Sequence, residues 1–166
     1  MGADDDGIYV RFSEELGLYI EMVIKGGEVE AVSLTVEAPS EPYRTDHPFL
    51  ERVIGHIATG RDDLRDIPVH LVTSSFDHQV LEALREIPSG QVMSYGEVAR
   101  KLGRPRAARA VGNACARNPV PIIIPCHRVV PASGRLGNYS GGGGPRTKEA
   151  ILEREGALGG PKEKKL

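Results

Sequence analysis

The chain contains no apolar run approaching the roughly 20 residues that span a bilayer, which excludes a membrane-spanning helix. It has two cysteines in 166 residues, too few for a disulfide framework. Its opening, Met1 to Gly7, is acidic where a secretory leader is basic and then apolar, so no signal peptide is expected. Both thiols are then expected to be reduced. His47, His56, His70 and His78 lack metal-ligand spacing, so solvated or capping roles are expected and no metal. What is present is ordinary: 40% hydrophobic and 27% charged residues, which excludes a wholly disordered chain. The length suits one compact domain or a small lobe attached to a larger one.

The formal charge of −2 hides a further absence. From Val98 to Lys148 there is no Asp or Glu, and there are ten Lys and Arg residues. That segment carries +10, while the remaining 11 basic and 23 acidic residues give −12. It reads as a basic face suited to a polyanion, nucleic acid above all. The alternative is a set of arginines scattered over a solvated surface and paired with the acidic half.

Hydrophobic patterning predicts an α/β fold: a small N-terminal α/β lobe with an antiparallel sheet, over 1–72, and a mainly helical C-terminal lobe over 73–156. A frayed tail is expected over 157–166. Strands are predicted at Ile8–Phe12, Leu18–Ile24 and Val29–Val36, the last two joined through Gly26-Gly27 as a hairpin. In the third, alternation is imperfect. Phe49, Leu50, Val53, Ile54 and Ile57 share one face of a helix that Gly60 ends. Ser74 or Ser75 caps a second helix with Phe76, Val80, Leu84 and Ile87 inward. Ser94 and Glu97 form a capping box for a short helix ending at Gly103. Pro105 then stands near the start of another, rich in Ala and Arg and running to about Ala116. Two short helices joined by a Gly-containing turn form a helix-turn-helix signature, or an αα-hairpin used for packing alone. Pro119, Pro121 and Pro125 around Ile122-Ile123-Ile124 forbid a helix and predict an extended, buried track leading to Cys126. A last helix is expected from Thr147 to Glu155, apolar at Ile151 and Leu152.

Cys115, on the Ala-rich helix, reads as a small buried hydrophobe. Cys126 stands beside His127 and Arg128 in the acid-free segment, where positive charge would lower its pKa and His127 could take its proton. Adjacent side chains on a strand diverge, so this pair needs a turn or an intervening water. Glu149, the first carboxylate after the basic run, could orient the histidine. Residue types alone leave nucleophile and buried structural thiol equally open.

Ile124-Pro125-Cys126-His127-Arg128-Val129 resembles the active-site motif of the O6-alkylguanine-DNA alkyltransferases, the methylated-DNA–protein-cysteine methyltransferases. The likeness extends over about residues 76–156, through Ser94-Tyr95, Arg106 to Gly112, Arg117-Asn118-Pro119, Gly137 to Gly142 and Glu155-Gly156. Such a resemblance implies DNA repair by irreversible transfer of the alkyl group of O6-alkylguanine in duplex DNA to Cys126, once per molecule and without a cofactor. It implies that His127 activates the thiol through a water, that Glu149 aligns His127, that Tyr95 donates to the flipped base and that Asn118 braces the active-site turn. By the same likeness Arg109 is the finger that fills the vacated stack and Ser140 a donor near O6. Tyr139, Ala107, Ala108 and Val129 join them at the DNA and substrate surface, with Arg104 and Arg117 on phosphates. Base flipping costs a few kcal/mol. The family presents its second helix to the minor groove, only about 6 Å wide, which suits small side chains. The implied partner is double-stranded DNA and not a membrane, and the implied protein is a monomer, cytoplasmic, or nuclear in a eukaryotic host. Related alkyltransferase-like proteins carry Trp in place of Cys126, so a non-transferring damage sensor is disfavoured; a hydrolytic Cys-His enzyme is the other competitor.

Overall fold

The computed structural model describes residues 5–40 and 42–157. From residue 158 the expected tail lies outside them. Strands β1 (Gly7–Ser13), β2 (Leu18–Lys25) and β3 (Glu28–Thr35) form an antiparallel sheet in the order β1-β2-β3. Leu18, Ile20, Met22 and Ile24 alternate inward along β2, as period-2 patterning requires. On β3 the inward residues are Val29, Val32 and Leu34, which breaks parity. A bulge explains it: Ile24 pairs with Val29 but Val23 pairs with Ala31, so Glu30 is the extra residue and the facing side flips across it.

Helix α1 (Pro48–Thr59) starts on the side chain of His47, whose Nδ1 accepts from the Phe49 amide, and stops at Gly60 in the left-handed region at φ 72°. It packs on β1 and on the last helix, α5 (Pro145–Arg154). Helix α2 (Ser75–Leu84) is capped by Ser74 and buries Asp77, Val80, Leu81 and Leu84. Phe76, expected inward, is only half-buried and lies under the Arg104 guanidinium, 5.6 Å from its ring centre.

Helix α3 (Tyr95–Lys101) opens on a capping box with both halves formed: Glu97 N–H to Ser94 Oγ at 3.0 Å, and Ser94 N–H to Glu97 Oε1 at 2.7 Å. Helix α4 (Ala108–Ala116) packs against α2 and α3. Pro105 is not at its first position. It sits in a separate turn closed by Ala107 N–H to Arg104 O at 2.9 Å, and the helix begins after it. Patterning did not foresee β4 (Met93–Ser94) and β5 (Val129–Val130), a two-residue parallel pair that ties the start of α3 to the stretch after Cys126.

The free edge of β3 is covered by the second half of the chain. Val32 N–H donates to Pro119 O at 2.9 Å and Gly142 N–H to Leu34 O at 3.0 Å, which satisfies edge groups that would otherwise be exposed. One apolar core runs from Tyr9 and Ile20 under the sheet to Val111, Ile124 and Ile151 in the helical half. Among the described residues no helix is long and apolar enough to cross a membrane.

Candidate active site

The segment from Asn118 to Arg128 is buried almost throughout but is not the extended track that its prolines predict. Val120 to Ile124 is a tight turn, with Ile124 N–H on Val120 O at 3.0 Å and Ile122 at φ 76°. A β-branched residue in that region is strained and must be held there. Asn118 holds it: its Oδ1 accepts from Val120 N–H at 3.0 Å and its Nδ2 donates to Ile124 O at 2.9 Å. Prolines restrict the backbone without fixing its direction; the turn follows from these two bonds.

Cys126–Arg128 is a single 3-10 turn, which resolves how adjacent Cys and His can act in one site. Cys126 is 6% exposed and lines a pocket of about 600 Å³. Tyr95 comes to it from α3, Arg109, Gly112 and Cys115 from α4, and Tyr139 and Ser140 from the loop before α5. Gly112 faces the Tyr95 ring, which a Cβ at that position would meet at ordinary packing distance, 3.7 Å. Burial pushes the Cys126 thiol up, opposed by a hydrogen bond with Asn118 and by the charge of Lys148. Lowering by neighbouring arginine, as the sequence suggests, does not occur, because Arg128 points elsewhere. Burial also raises Cys115 to about 12 and, helped by the two thiols, Tyr95 to about 12. Burial thus favours the protonated form of both thiols and of both phenols, Tyr95 and Tyr139, that line the pocket.

The side chain of Glu155 is wholly buried and receives four hydrogen bonds. His127 Nε2 lies 2.8 Å and His56 Nε2 2.7 Å from Oε2. Arg128 donates to both oxygens, at 2.8 Å from Nη2 and 3.0 Å from Nε, and its Nη1 reaches Ile87 O at 2.6 Å. Burial alone would raise the Glu155 carboxyl. The bonds from His127, His56 and Arg128 outweigh it and hold the group well below the usual carboxylate range. An ionised carboxylate only accepts, so both Nε2 atoms carry hydrogen. Burial lowers His127 despite Glu155, leaving its ring neutral and its Nδ1 a bare acceptor without a protein partner among the described residues.

Two expected assignments, Glu149 and Val129, need correction, and Arg117 has a partner within the protein while its side chain stays 60% exposed. Glu149 is exposed on the outer face of α5, and the place beside His127 belongs to Glu155. The buried stripe of that helix is Lys148, Ile151 and Leu152, which a helical period continues to position 155 and not to 149. Val129 is buried in β5, lies off the pocket, and its carbonyl accepts from Lys148 Nζ at 2.8 Å. Arg117 is held by Asp77 through two bonds, at 2.8 and 3.0 Å, and pins α4 to α2. Tyr95, Ala108, Arg109, Tyr139 and Ser140 do meet at the pocket; Ala107 stands outside it at the start of α4, and Arg104 is exposed on Phe76.

His56 and Lys148 carry no motif and escaped sequence reasoning. Lys148 is fully buried on the carbonyls of Val129 and Asn138, at 2.8 and 3.2 Å, and burial lowers its ammonium. The described residues include no cluster of three or more His, Cys, Asp or Glu side chains arranged to hold a metal ion.

Residues 75–157 match the family model of the 6-O-methylguanine DNA methyltransferase DNA-binding domain. The chain is 53% identical over 83 residues to the methylated-DNA–protein-cysteine methyltransferase of Salmonella typhimurium, covering 50% of this chain and 47% of that protein. To the Mycobacterium tuberculosis protein of the same name it is 50% identical over 90 residues, 54% of this chain and 53% of that one. The matched stretch spans about half the length of these curated relatives. In structure it is similar to the M. tuberculosis protein OGT solved in complex with DNA, at a TM-score of 0.76 and 33% identity over 90% of this chain and 92% of that one. The O6-methylguanine-DNA methyltransferase of Pyrococcus kodakaraensis aligns at 0.68 and 26% identity, over 90% and 98%. With a family model spanning half the chain, Cys126 to Glu155 included, and the fold shared over nine-tenths of it, this chain belongs to the 6-O-methylguanine DNA methyltransferase family.

Proposed function

We propose that the protein reverses O6-alkylguanine damage in duplex DNA by moving the alkyl group onto Cys126, once per molecule and without a cofactor. The observation that carries this reading is Cys126 in the wall of a pocket of about 600 Å³, in one 3-10 turn with His127, whose ring is bonded to the buried Glu155 carboxylate. Cys126 Sγ attacks the alkyl carbon in line as the carbon–O6 bond breaks, and the electron pair leaves on the guanine. The thiol proton passes through a water to His127 Nδ1, the bare acceptor that Glu155 holds in register. The departing guanine needs a proton or donor as its charge develops, and the Tyr95 hydroxyl and Ser140 supply donors at the pocket wall. Tyr139, whose buried hydroxyl has no protein partner among the described residues, lies on the same wall.

DNA engages the pocket mouth through α3 and α4 acting as a helix-turn-helix. Arg109, exposed at the rim, enters the stack as the base flips out, and the small faces of Ala107 and Ala108 fit the minor groove. In this reading residues 73–156 form the DNA-binding and acceptor domain, and residues 1–72 buttress it. The protein acts as a monomer in the compartment that holds the DNA, the cytoplasm in a bacterium and the nucleus in a eukaryote. Incubation with an O6-methylguanine duplex should add one CH2 unit to the intact mass, carried by the peptide containing Cys126, with activity lost stoichiometrically. Multiple turnovers, or a mass gain that survives in Cys126→Ala, would contradict it.

A further inference from the structure

We infer that His56, from α1 of the N-terminal lobe, is a positioning residue for the His127–Glu155 pair: it shares Glu155 Oε2 with His127 and limits how strongly that carboxylate draws on the His127 ring. The inference rests on the alkyl-transfer reading of the Cys126 pocket.

The geometry is unusual in three respects. The two imidazoles converge on one oxygen, at 2.7 and 2.8 Å, and both side chains and the carboxylate are wholly inaccessible to water. Arg128 Nη2 makes a third donor on that oxygen at 2.8 Å, so the donors exceed its two lone pairs and compete for it. The arrangement also joins residues 99 positions apart, and the backbone around it is fixed: a Cβ at Gly60 would fall 2.2 Å from Arg154 O, and Ser89 Oγ donates to Gly60 O at 2.7 Å. The end of α1 is thus seated against the end of α5, which aims His56 at Glu155.

A carboxylate stripped of one donor becomes a better acceptor for those that remain. Without His56, Glu155 would bind the His127 ring more tightly and favour its protonated form, which cannot take the thiol proton. The groups around the pair are Glu155 at the end of α5, Arg128 and Cys126 in the 3-10 turn, His56 on α1, and Asp62, which Arg52 holds at 2.8 Å. Of the other two donors to Glu155, removing Arg128 would leave the carboxylate without its counter-charge, whereas replacing His56 by an apolar ring leaves that ion pair intact.

The test uses the full chain, its His56→Phe variant and its His56→Gln variant, whose amide retains an N–H donor. Single-turnover methyl transfer from a methylated duplex is followed against pH, and the His127 ring is titrated by NMR. In His56→Phe the acid-side midpoint of the rate and the His127 midpoint should both rise, by about half a pH unit or more, with His56→Gln lying closer to wild type. A folded His56→Phe protein with an unmoved His127 midpoint and only a lower melting temperature would overturn the inference. The wild-type spectrum decides independently of variant folding: a hydrogen-bonded Nε2–H is expected on His56 as well as on His127, and its absence would also overturn it. Should the wild type transfer no methyl group, the functional reading fails while the His127 titration still decides the role of His56.

Discussion

At the scale of single residues, the site is organised around one carboxylate. The Glu155 side chain is closed to solvent, and its partners are two imidazoles and a guanidinium that is itself only 2% exposed. Removing its charge in Glu155→Gln leaves Arg128 buried without a counter-charge, a change that costs about 3–5 kcal/mol. The sign of its pH dependence follows from the direction of the shift. The folded-state carboxyl lies below its ordinary value of 4.5, so its stabilisation is complete above that value and is lost only as pH falls through the lower folded one. Urea denaturation at a series of pH values should show wild type and Glu155→Gln well separated at pH 7 and converging only below about pH 4.5. Glu149→Gln should leave both the denaturation midpoint and methyl transfer unmoved, because Glu149 is exposed on the other face of α5.

Among the elements, the loop before α5 is positioned by backbone contacts that glycine alone permits. A Cβ on Gly142 would stand 2.7 Å from Leu34 O, the atom to which Gly142 N–H donates at 3.0 Å. Gly142→Ala should therefore part the loop from β3, lower stability by about 1–3 kcal/mol as an overpacked contact does, and slow methyl transfer by displacing Tyr139 and Ser140. A melting temperature and transfer rate equal to wild type would show that the loop does not depend on β3. Local patterning made much of this architecture legible. The three strands, the Gly60 stop, the Ser94–Glu97 capping box and a last helix apolar at Ile151 and Leu152 all follow from periodicity and capping chemistry. What escaped it depends on distant partners. β4 and β5 are two residues each and exist only as a pair, the Ile122 turn exists because Asn118 brackets it, and Glu155 meets His127 and His56 only once α1 and α5 have docked. Glu149 was the nearer carboxylate in sequence; the helical stripe through Lys148, Ile151 and Leu152 carries the signal that points to Glu155 instead.

For the whole molecule, the segregation of charge sets the terms on which it meets a polyanion, but the fold withdraws part of what the sequence offers. Of the ten basic residues between Val98 and Lys148, Arg128 is buried on Glu155, Lys148 is buried on two carbonyls, and Arg117 is held by Asp77. The other seven stay exposed: Arg109, assigned to the stack, and Arg100, Lys101, Arg104, Arg106, Arg135 and Arg146, which leaves six for phosphates. Each phosphate neutralised contributes about −0.9 to the slope of log K against log salt concentration, so duplex binding should show a slope no steeper than about −5. All ten acting together would approach about −9. The variants separate the two cases further. Arg104→Ala should flatten the slope by about one unit and weaken binding to every sequence alike, whereas Arg117→Ala should leave the slope unchanged and act through stability, by releasing α4 from α2. A slope that flattens equally in both variants would place Arg117 on the DNA and require its pair with Asp77 to open on binding.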